Sequence, residues 1–410
     1  MSITLTYEQE YIVNEAVKWF NDSSDMTFQI EGPAGTGKSV VLASIISRLG
    51  LKEEEILPMA YTGQAVSVMR MKGLRTAVTC HSALFVYLEI PLFDDFGKPI
   101  MDTVHNKQKT ITRQFNRDVK ADHPDLKLII VDECYMIPES FRENIDNTGV
   151  KVIAAGDSSQ LPPIEGPPAY LVYGKVYHLT QLMRQSAESA IVQVAMAAKN
   201  KESLRCGRYN NGELVIVDYP PTARTYGIAD ITLCGSNNTR TDINDSYRNE
   251  CLHLSPDELP KPGEKMVCKM NRWNHTVDNI SLTNGLVGIA DNVQTTLECG
   301  CHSNLFKMDF ITPLCTFSGL ECDYNFLIAD KPRRDFIKND KFKKWDGCKF
   351  DYGYACTVHS AQGSEYEKGI YVYEDIYNTD EKNAHLHYTA ITRFRNRLVI
   401  ILYYARSKYY

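Results

Sequence analysis

Along the chain, short and largely apolar runs alternate with stretches of helical spacing. Phe28–Ile30 reads as a strand that ends in a glycine-rich turn, and Val40–Leu49 follows with helical periodicity. Leu128–Val131 is four apolar residues in a row, followed by two acids. Val150–Ala155 repeats the plan and ends in Gly156–Asp157. The alternation resumes in the second half at Ile231–Cys234, Gly369–Tyr373 and Leu398–Tyr404. Apolar strands separated by helices predict parallel sheets covered on both faces. Two stretches break the rhythm. Residues 86–120 contain Pro91, the turn-like Asp94–Pro99 and several basic residues, which predicts a β-hairpin tipped by Phe96–Gly97. Residues 263–350 hold short glycine-bounded strands and no helix, which predicts a small β-rich module with a hairpin turn at Asn284–Gly285. The expected organisation is α/β, with two cores each interrupted by an insertion. The first core takes 1–85 and 121–180, and the second takes 181–262 and 351–410.

The turn after the first strand carries the first chemical signal. Gly32-Pro33-Ala34-Gly35-Thr36-Gly37-Lys38-Ser39 fits G-x-x-x-x-G-K-[ST], placed after a strand and before a helix. Glycines let backbone N–H groups face phosphate oxygens, and the helix N-terminus adds positive potential. Lys38 is expected on the β- and γ-phosphates and the Ser39 hydroxyl on Mg²⁺. Asp132 would share the Mg²⁺, and Glu133 would polarise an attacking water. Gln160, in Gly156-Asp157-Ser158-Ser159-Gln160-Leu161-Pro162-Pro163, is a neutral donor placed to sense a γ-phosphate. Taken singly, the acidic pair is an ordinary solvated loop and Gln160 a plain turn residue.

Composition narrows the class. The chain has 410 residues, 43% hydrophobic and 23% charged, enough for two or three globular domains. The strongly apolar run Leu398–Ala405 is too short for a membrane span and reads as a buried strand. The N-terminus has no basic-then-apolar signal peptide pattern. A net charge of −6 argues against a purely electrostatic polyanion binder. It leaves room for a local basic channel. The 12 cysteines form no framework of close pairs, so reduced thiols in a cytoplasm-like compartment are expected. Cys299-Gly300-Cys301-His302, with Cys315 and Cys322, matches no standard zinc spacing and reads as ordinary thiols.

The ordered segments GPAGTGKS, VDECYM and GDSSQLPPI resemble superfamily 1 helicases. Later matches place the resemblance in the RecD/Dda-like branch (SF1B), which includes helicases of T-even phages. Leu179–Gln185 resembles motif IV, Thr357–Glu365 motif V, Tyr388–Arg393 motif VI and Leu5–Gln9 the Q motif. The resemblance spans positions 5 to 393 and implies two RecA-like P-loop cores and an SH3-like β-rich insertion. It implies that Gln9 reads adenine, that Arg184 and Arg393 act as arginine fingers, that Gly363 belongs to the nucleotide site and that Glu365 meets the ribose. The expected cofactors are ATP and Mg²⁺.

Tyr61-Thr62-Gly63-Gln64-Ala65 resembles motif Ia, with Tyr61 where the family carries proline. Thr79-Cys80-His81-Ser82 resembles motif Ib, and Ser236-Asn237-Asn238 the matching contact of the other core. With Thr357 and His359, these short hydroxyl, amide and imidazole groups suit phosphate and sugar contacts that ignore base sequence. Thr79 and His81 equally suit a plain helix cap. The basic residues Lys107, Lys109, Arg113 and Arg117 read as a solvated face, and the run from Lys331 to Lys344 as a channel lining or a soluble loop. Phe96 and Phe93 are either a stacking wedge or packing for the hairpin. The resemblance thus implies an ATP-dependent helicase on single-stranded DNA and duplex junctions, moving 5′ to 3′. It would act as a monomer in the cytoplasm (the host's, if phage-encoded), alongside single-strand-binding or replication and recombination factors. Two alternatives stand: a translocase that displaces proteins, and a nucleotide-switched binding module. Backbone contacts alone leave RNA open as a substrate.

Overall fold

The computed structural model describes residues 4–402 except 95, 103–106, 109, 164–165, 171–173, 184–187, 220, 279, 296–304 and 329–346. Expectations for Arg184, Lys109, Cys299, Cys301, His302 and the basic run from Lys331 to Lys344 fall outside the described residues.

The first core is a six-stranded sheet with the order Val176–His178, Thr27–Glu31, Lys151–Gly156, Leu128–Val131, Ile56–Ala60, Val78–Thr79. Every pairing is parallel. The central strand Leu128–Val131 is buried at all four positions. It can be so apolar because separate hydrophobic clusters cover the two faces of the sheet. The second core is another six-stranded sheet, ordered Gly207–Tyr209, Leu214–Val217, Phe394–Ile401, Tyr366–Val372, Ile231–Cys234, Ala355–Thr357. Only its Gly207–Tyr209 edge pairs antiparallel. The helix Ala190–Lys199 packs on this second sheet beside Asp380–Ile391.

The first insertion is a two-stranded ribbon in which Phe85–Pro91 pairs antiparallel with Thr110–Asn116. Beyond it lie the Asp94–Lys98 turn behind the Phe93–Pro99 bridge and a second short antiparallel ladder, Met101–Asp102 with Lys107–Gln108. Phe96–Gly97 therefore tips a side turn, not the ribbon itself. Asp94 builds that turn, its carboxylate accepting the Phe96 and Lys98 N–H groups at 3.0 and 2.8 Å.

The second insertion is a five-stranded antiparallel sheet around its own core, with a separate two-stranded ribbon, Arg272–Val277 with Ile280–Leu282. Two expectations fail here. Asn284–Gly285 closes no hairpin. The strand before it pairs in the ribbon and Val287–Gln294 after it pairs in the five-stranded sheet. A helix is present at Tyr324–Ile328, five residues that are too few for helical periodicity to show in the sequence. Two buried ion pairs fasten the insertion to the helix Asn237–Leu252: Arg240 to Asp351 at 2.5 Å and Arg248 to Glu264 at 2.9 Å. It also reaches the first core, where Gln64 Nε2 donates to the Gly285 carbonyl at 2.7 Å.

Candidate active site

The carboxyl ends of the first sheet's strands face the second core across a cleft of about 850 Å³. The phosphate-loop pattern forms its floor. Gly35 and Gly37 hold positive φ of 85° and 84°, and Gly37 caps the helix Lys38–Leu49. A Cβ at Gly37 would meet Gln9 Nε2 at 2.5 Å, so only glycine fits there. Lys38 Nζ lies on the Gly32 carbonyl at 2.6 Å and the Pro33 carbonyl at 3.2 Å. Thr36 braces the loop by donating to the Pro33 carbonyl at 2.9 Å. Gln9 is buried beneath it, donating to the Thr36 carbonyl at 2.9 Å and accepting the Thr6 N–H at 3.0 Å. The helix Tyr7–Asp22 is thereby tied to the loop.

Asp132 and Glu133 follow the central strand into the cleft. Burial, with the Glu133 carboxylate alongside, pushes the Asp132 carboxyl above its usual range. Glu133 adopts left-handed backbone at φ 50°, which turns its side chain off the strand line. A hydroxyl and a carboxylate from Ser39 and Asp132 are hard oxygen donors that fit Mg²⁺, which takes few protein ligands and completes its shell with phosphate and water. Among the described residues no cluster of three or more histidine, cysteine or acidic side chains forms a metal cage.

The opposite wall comes from the second core. Arg393 is buried, donates to Gln160 Oε1 at 2.7 Å and pairs with Glu133 at 3.6 Å. Three expected residues from two cores are therefore one constellation. Gly363 lines the same cleft, and its missing Cβ admits Thr62 Oγ1, which would lie 2.6 Å away. Glu365 stands at the rim, held by Lys72 at 2.9 Å and by Arg395.

Four residues at this site were not expected from sequence. Lys72 donates to Ser39 Oγ at 3.3 Å as well as to Glu365, and burial holds its ammonium below the usual lysine range. Arg395 pairs with Glu365. Tyr388 and Asp157 link the second core to the phosphate loop. Lys72 and Arg395 are lone cations without a local pattern. Tyr388 lies inside a segment already singled out, though its role depends on what faces it.

The proposed strand contacts fall into two matched pairs. Thr62 caps the helix Gly63–Met71, and Ser236 caps Asn237–Leu252. Thr79 caps Cys80–Leu84, and Thr357 caps the turn Val358–Ala361, both at φ −74° and ψ 150°. Each cap sits in the tetrad Thr-x-His-Ser, at 79–82 and at 357–360. A repeated tetrad was the signal available in the sequence. Thr79 and Thr357 are therefore helix caps, their hydroxyls accepting the Ser82 and Ser360 N–H groups at 3.1 and 3.3 Å. Asn237 and Asn238 are exposed in the first turn of their helix. His81 packs edge-on against Phe141, with ring centroids 4.8 Å apart, and burial pushes it down to about 4. It is a neutral imidazole near pH 7, so any phosphate contact it makes is a hydrogen bond and not an ion pair. His359 bonds Tyr377 at 2.7 Å. Phe96 is 95% exposed and Phe93 54% exposed, so neither packs the ribbon onto a core.

Comparisons with known proteins agree with this architecture. The family model described as an AAA domain matches residues 5–217, and one described as a UvrD-like helicase C-terminal domain matches residues 352–401. The ATP-dependent RecD2 DNA helicase of Deinococcus radiodurans is 24% identical over 397 residues, covering 90% of this chain and 46% of that protein. The ATP-dependent DNA helicase RRM3 of Saccharomyces cerevisiae is 26% identical over 174 residues, covering 40% of this chain and 21% of that protein. The chain thus spans less than half the length of these relatives. A solved structure of Bacteroides Pif1 bound to single-stranded DNA superposes with a TM-score of 0.54 at 17% identity, over 97% of this chain and 92% of that one. A Pif1 structure described as explaining unwinding at forked duplex DNA gives 0.56 at 18% identity, with the same coverage. At this identity the superpositions establish the shared fold.

Proposed function

Because the chain belongs to the AAA domain family, matched over the span that holds the whole first-core wall of the cleft, we propose that it is an ATP-dependent motor on single-stranded DNA. It moves 5′ to 3′ and separates duplex strands. The observation that carries this reading is Arg393. A buried cation from the second core pairs with both Glu133 and Gln160 of the first. Chemistry at the acid then reports directly on the spacing of the two cores.

Lys38 leaves its carbonyl partners for the β- and γ-phosphates. Gln9 exchanges its Thr36 and Thr6 partners for the adenine edge. Glu133 accepts the proton of the attacking water, and Arg393 and Gln160 stabilise charge that develops on the γ-phosphoryl oxygens. Arg184 joins them as a second finger. Ser39 and Asp132 hold Mg²⁺, which when bound neutralises phosphate charge. As the γ-phosphate leaves, Arg393 is left with Glu133 and Gln160 alone, and the contact between the cores rearranges. The two Thr-x-His-Ser caps, with Thr62, Ser236, Asn237 and Asn238, grip the strand backbone one core at a time. Phe96 stacks on the base exposed at a duplex junction.

Both walls of the cleft come from one chain, which supports action as a monomer. The described cysteines are all free thiols, which supports a reducing cytoplasmic setting. The test is unwinding of duplexes with a 5′ tail, a 3′ tail or no tail, in DNA and RNA forms, with ATPase measured in parallel. Unwinding of 5′-tailed DNA alone is expected. Strand-stimulated turnover without unwinding identifies a protein-displacing translocase. Turnover indifferent to single strands identifies a nucleotide switch.

A further inference from the structure

Tyr388 lies on the second-core helix Asp380–Ile391 and is fully buried. Its hydroxyl reaches across the cleft. It accepts the Ala34 N–H at 2.9 Å and donates its proton to Asp157 Oδ2 at 2.7 Å. The other Asp157 oxygen accepts the Ser159 N–H at 3.0 Å. The hydroxyl's one proton is therefore committed to Asp157, which leaves its lone pairs to the loop. Neighbouring cross-core bonds stop short of this point. Thr389 Oγ1 accepts the Leu161 N–H at 2.8 Å and Gln362 donates to the Leu161 carbonyl at 3.0 Å, both on the loop that carries Gln160. Tyr388 goes further and takes a donor of the phosphate loop itself. Burial, reinforced by Asp157, raises its phenol well above the usual tyrosine range, so the O–H stays intact.

Ala34 lies between Gly32 and Gly37, in the stretch whose N–H groups serve phosphate oxygens. We propose that the Tyr388 hydroxyl is a phosphate mimic that latches the second core to the phosphate loop, and that a nucleotide phosphate oxygen must displace it from Ala34. Filling of the nucleotide site is then converted into release of the helix Asp380–Ile391, which also carries the approach to Arg393. Tyr388 acts through the loop and not on the reacting atoms, so it is a positioning residue. The proposal rests on the ATP-site reading above.

Tyr388→Phe keeps the ring and removes only the hydroxyl. A neutral hydrogen bond of this kind corresponds to about two- to tenfold in an equilibrium constant. Fluorescent ADP, titrated without DNA, should bind Tyr388→Phe tighter than the parent by that factor. The KM for ATP without DNA should fall, and the change in KM on adding single-stranded DNA should shrink. The melting temperature should drop without nucleotide and recover in saturating ADP, because the ligand replaces the latch. A hydroxyl that only packs the core would lower the melting temperature equally with and without ADP. That outcome, or ADP binding that is unchanged or weaker, overturns the latch. Lys38→Ala is the parallel control. Full ADP affinity in that variant would refute the ATP-site reading itself, whatever Tyr388→Phe does.

Discussion

Replacing Arg393 tests the cleft where the two cores meet. The guanidinium is 4% exposed and makes four contacts: Gln160 Oε1 at 2.7 Å, the Thr389 carbonyl at 3.2 Å, the Ser364 carbonyl at 3.4 Å and Glu133 at 3.6 Å. Arg393→Ala removes all four and leaves Glu133 without its cation. Breaking a buried pair by deleting one partner costs about 3–5 kcal/mol, and the lower end suits Glu133, which keeps some solvent. The catalytic loss should be separate and larger. Arginine fingers contribute about 10³–10⁵ in kcat, or roughly 4–7 kcal/mol of barrier. ADP binding draws on the phosphate loop and should hold within about threefold. Arg393→Lys keeps the charge but loses the planar fork, so it should recover stability better than turnover. Urea denaturation, ADP titration and DNA-stimulated ATPase on the same preparations separate the terms. Turnover by Arg393→Ala within tenfold of the parent would refute the assignment, because a residue this close to Glu133 and Gln160 could then be removed without cost to the chemistry.

Glu133→Gln should still bind Mg-ATP through Ser39, Asp132 and Lys38 but hydrolyse it very slowly, since an amide cannot accept the water's proton. Parent-rate turnover in a single-turnover assay removes Glu133 as the base. Phe96→Ala should leave the melting temperature and strand-stimulated ATPase unchanged, because the ring is exposed and does not line the cleft. Its unwinding should fall, since base–aromatic stacking is worth ~1–3 kcal/mol. Wild-type unwinding by that variant excludes the wedge. For pH, burial lowers His81 from 6.5 to about 4, so the unfolded chain binds the proton first. Its contribution is complete above about 6.5 and is lost as pH falls toward 4, at most about 3 kcal/mol. Urea midpoints for His81→Phe should therefore vary less over that window than those of the parent, and an identical pH profile would count against the burial argument.

The phosphate loop was legible because its demands are local. Positive φ at Gly35 and Gly37, a strand before and a helix after can all be written into eight consecutive residues. Asp132–Glu133 was legible because four buried residues precede the pair. Lys72, Arg395 and Tyr388 were not, since each takes its role from a partner far along the chain. Tyr388 reaches Ala34 across 354 positions, and no window of sequence contains both. Asn284–Gly285 misled for a related reason. Gly285 has the positive φ of 87° that a hairpin turn would use, but it spends that conformation crossing between two sheets beside the Ser360 carbonyl. Thr79 shows a local signal that held, since the helix cap offered by its short hydroxyl is the one that forms, accepting the Ser82 N–H.

The repeated Thr-x-His-Ser caps bear on how direction arises. On the motor reading, the two caps are handholds with the same side chains set at the same backbone angles. Neither can favour forward over backward travel by its own chemistry. On the motor reading, directionality is a matter of sequence in time: whichever handhold lets go first when the cleft closes decides which way the molecule advances. That order is governed by what is unequal between the cores, namely one phosphate loop, a ribbon on one side and a braced β-rich module on the other. Reversing the direction of such a machine would mean changing those unequal parts and leaving the handholds alone.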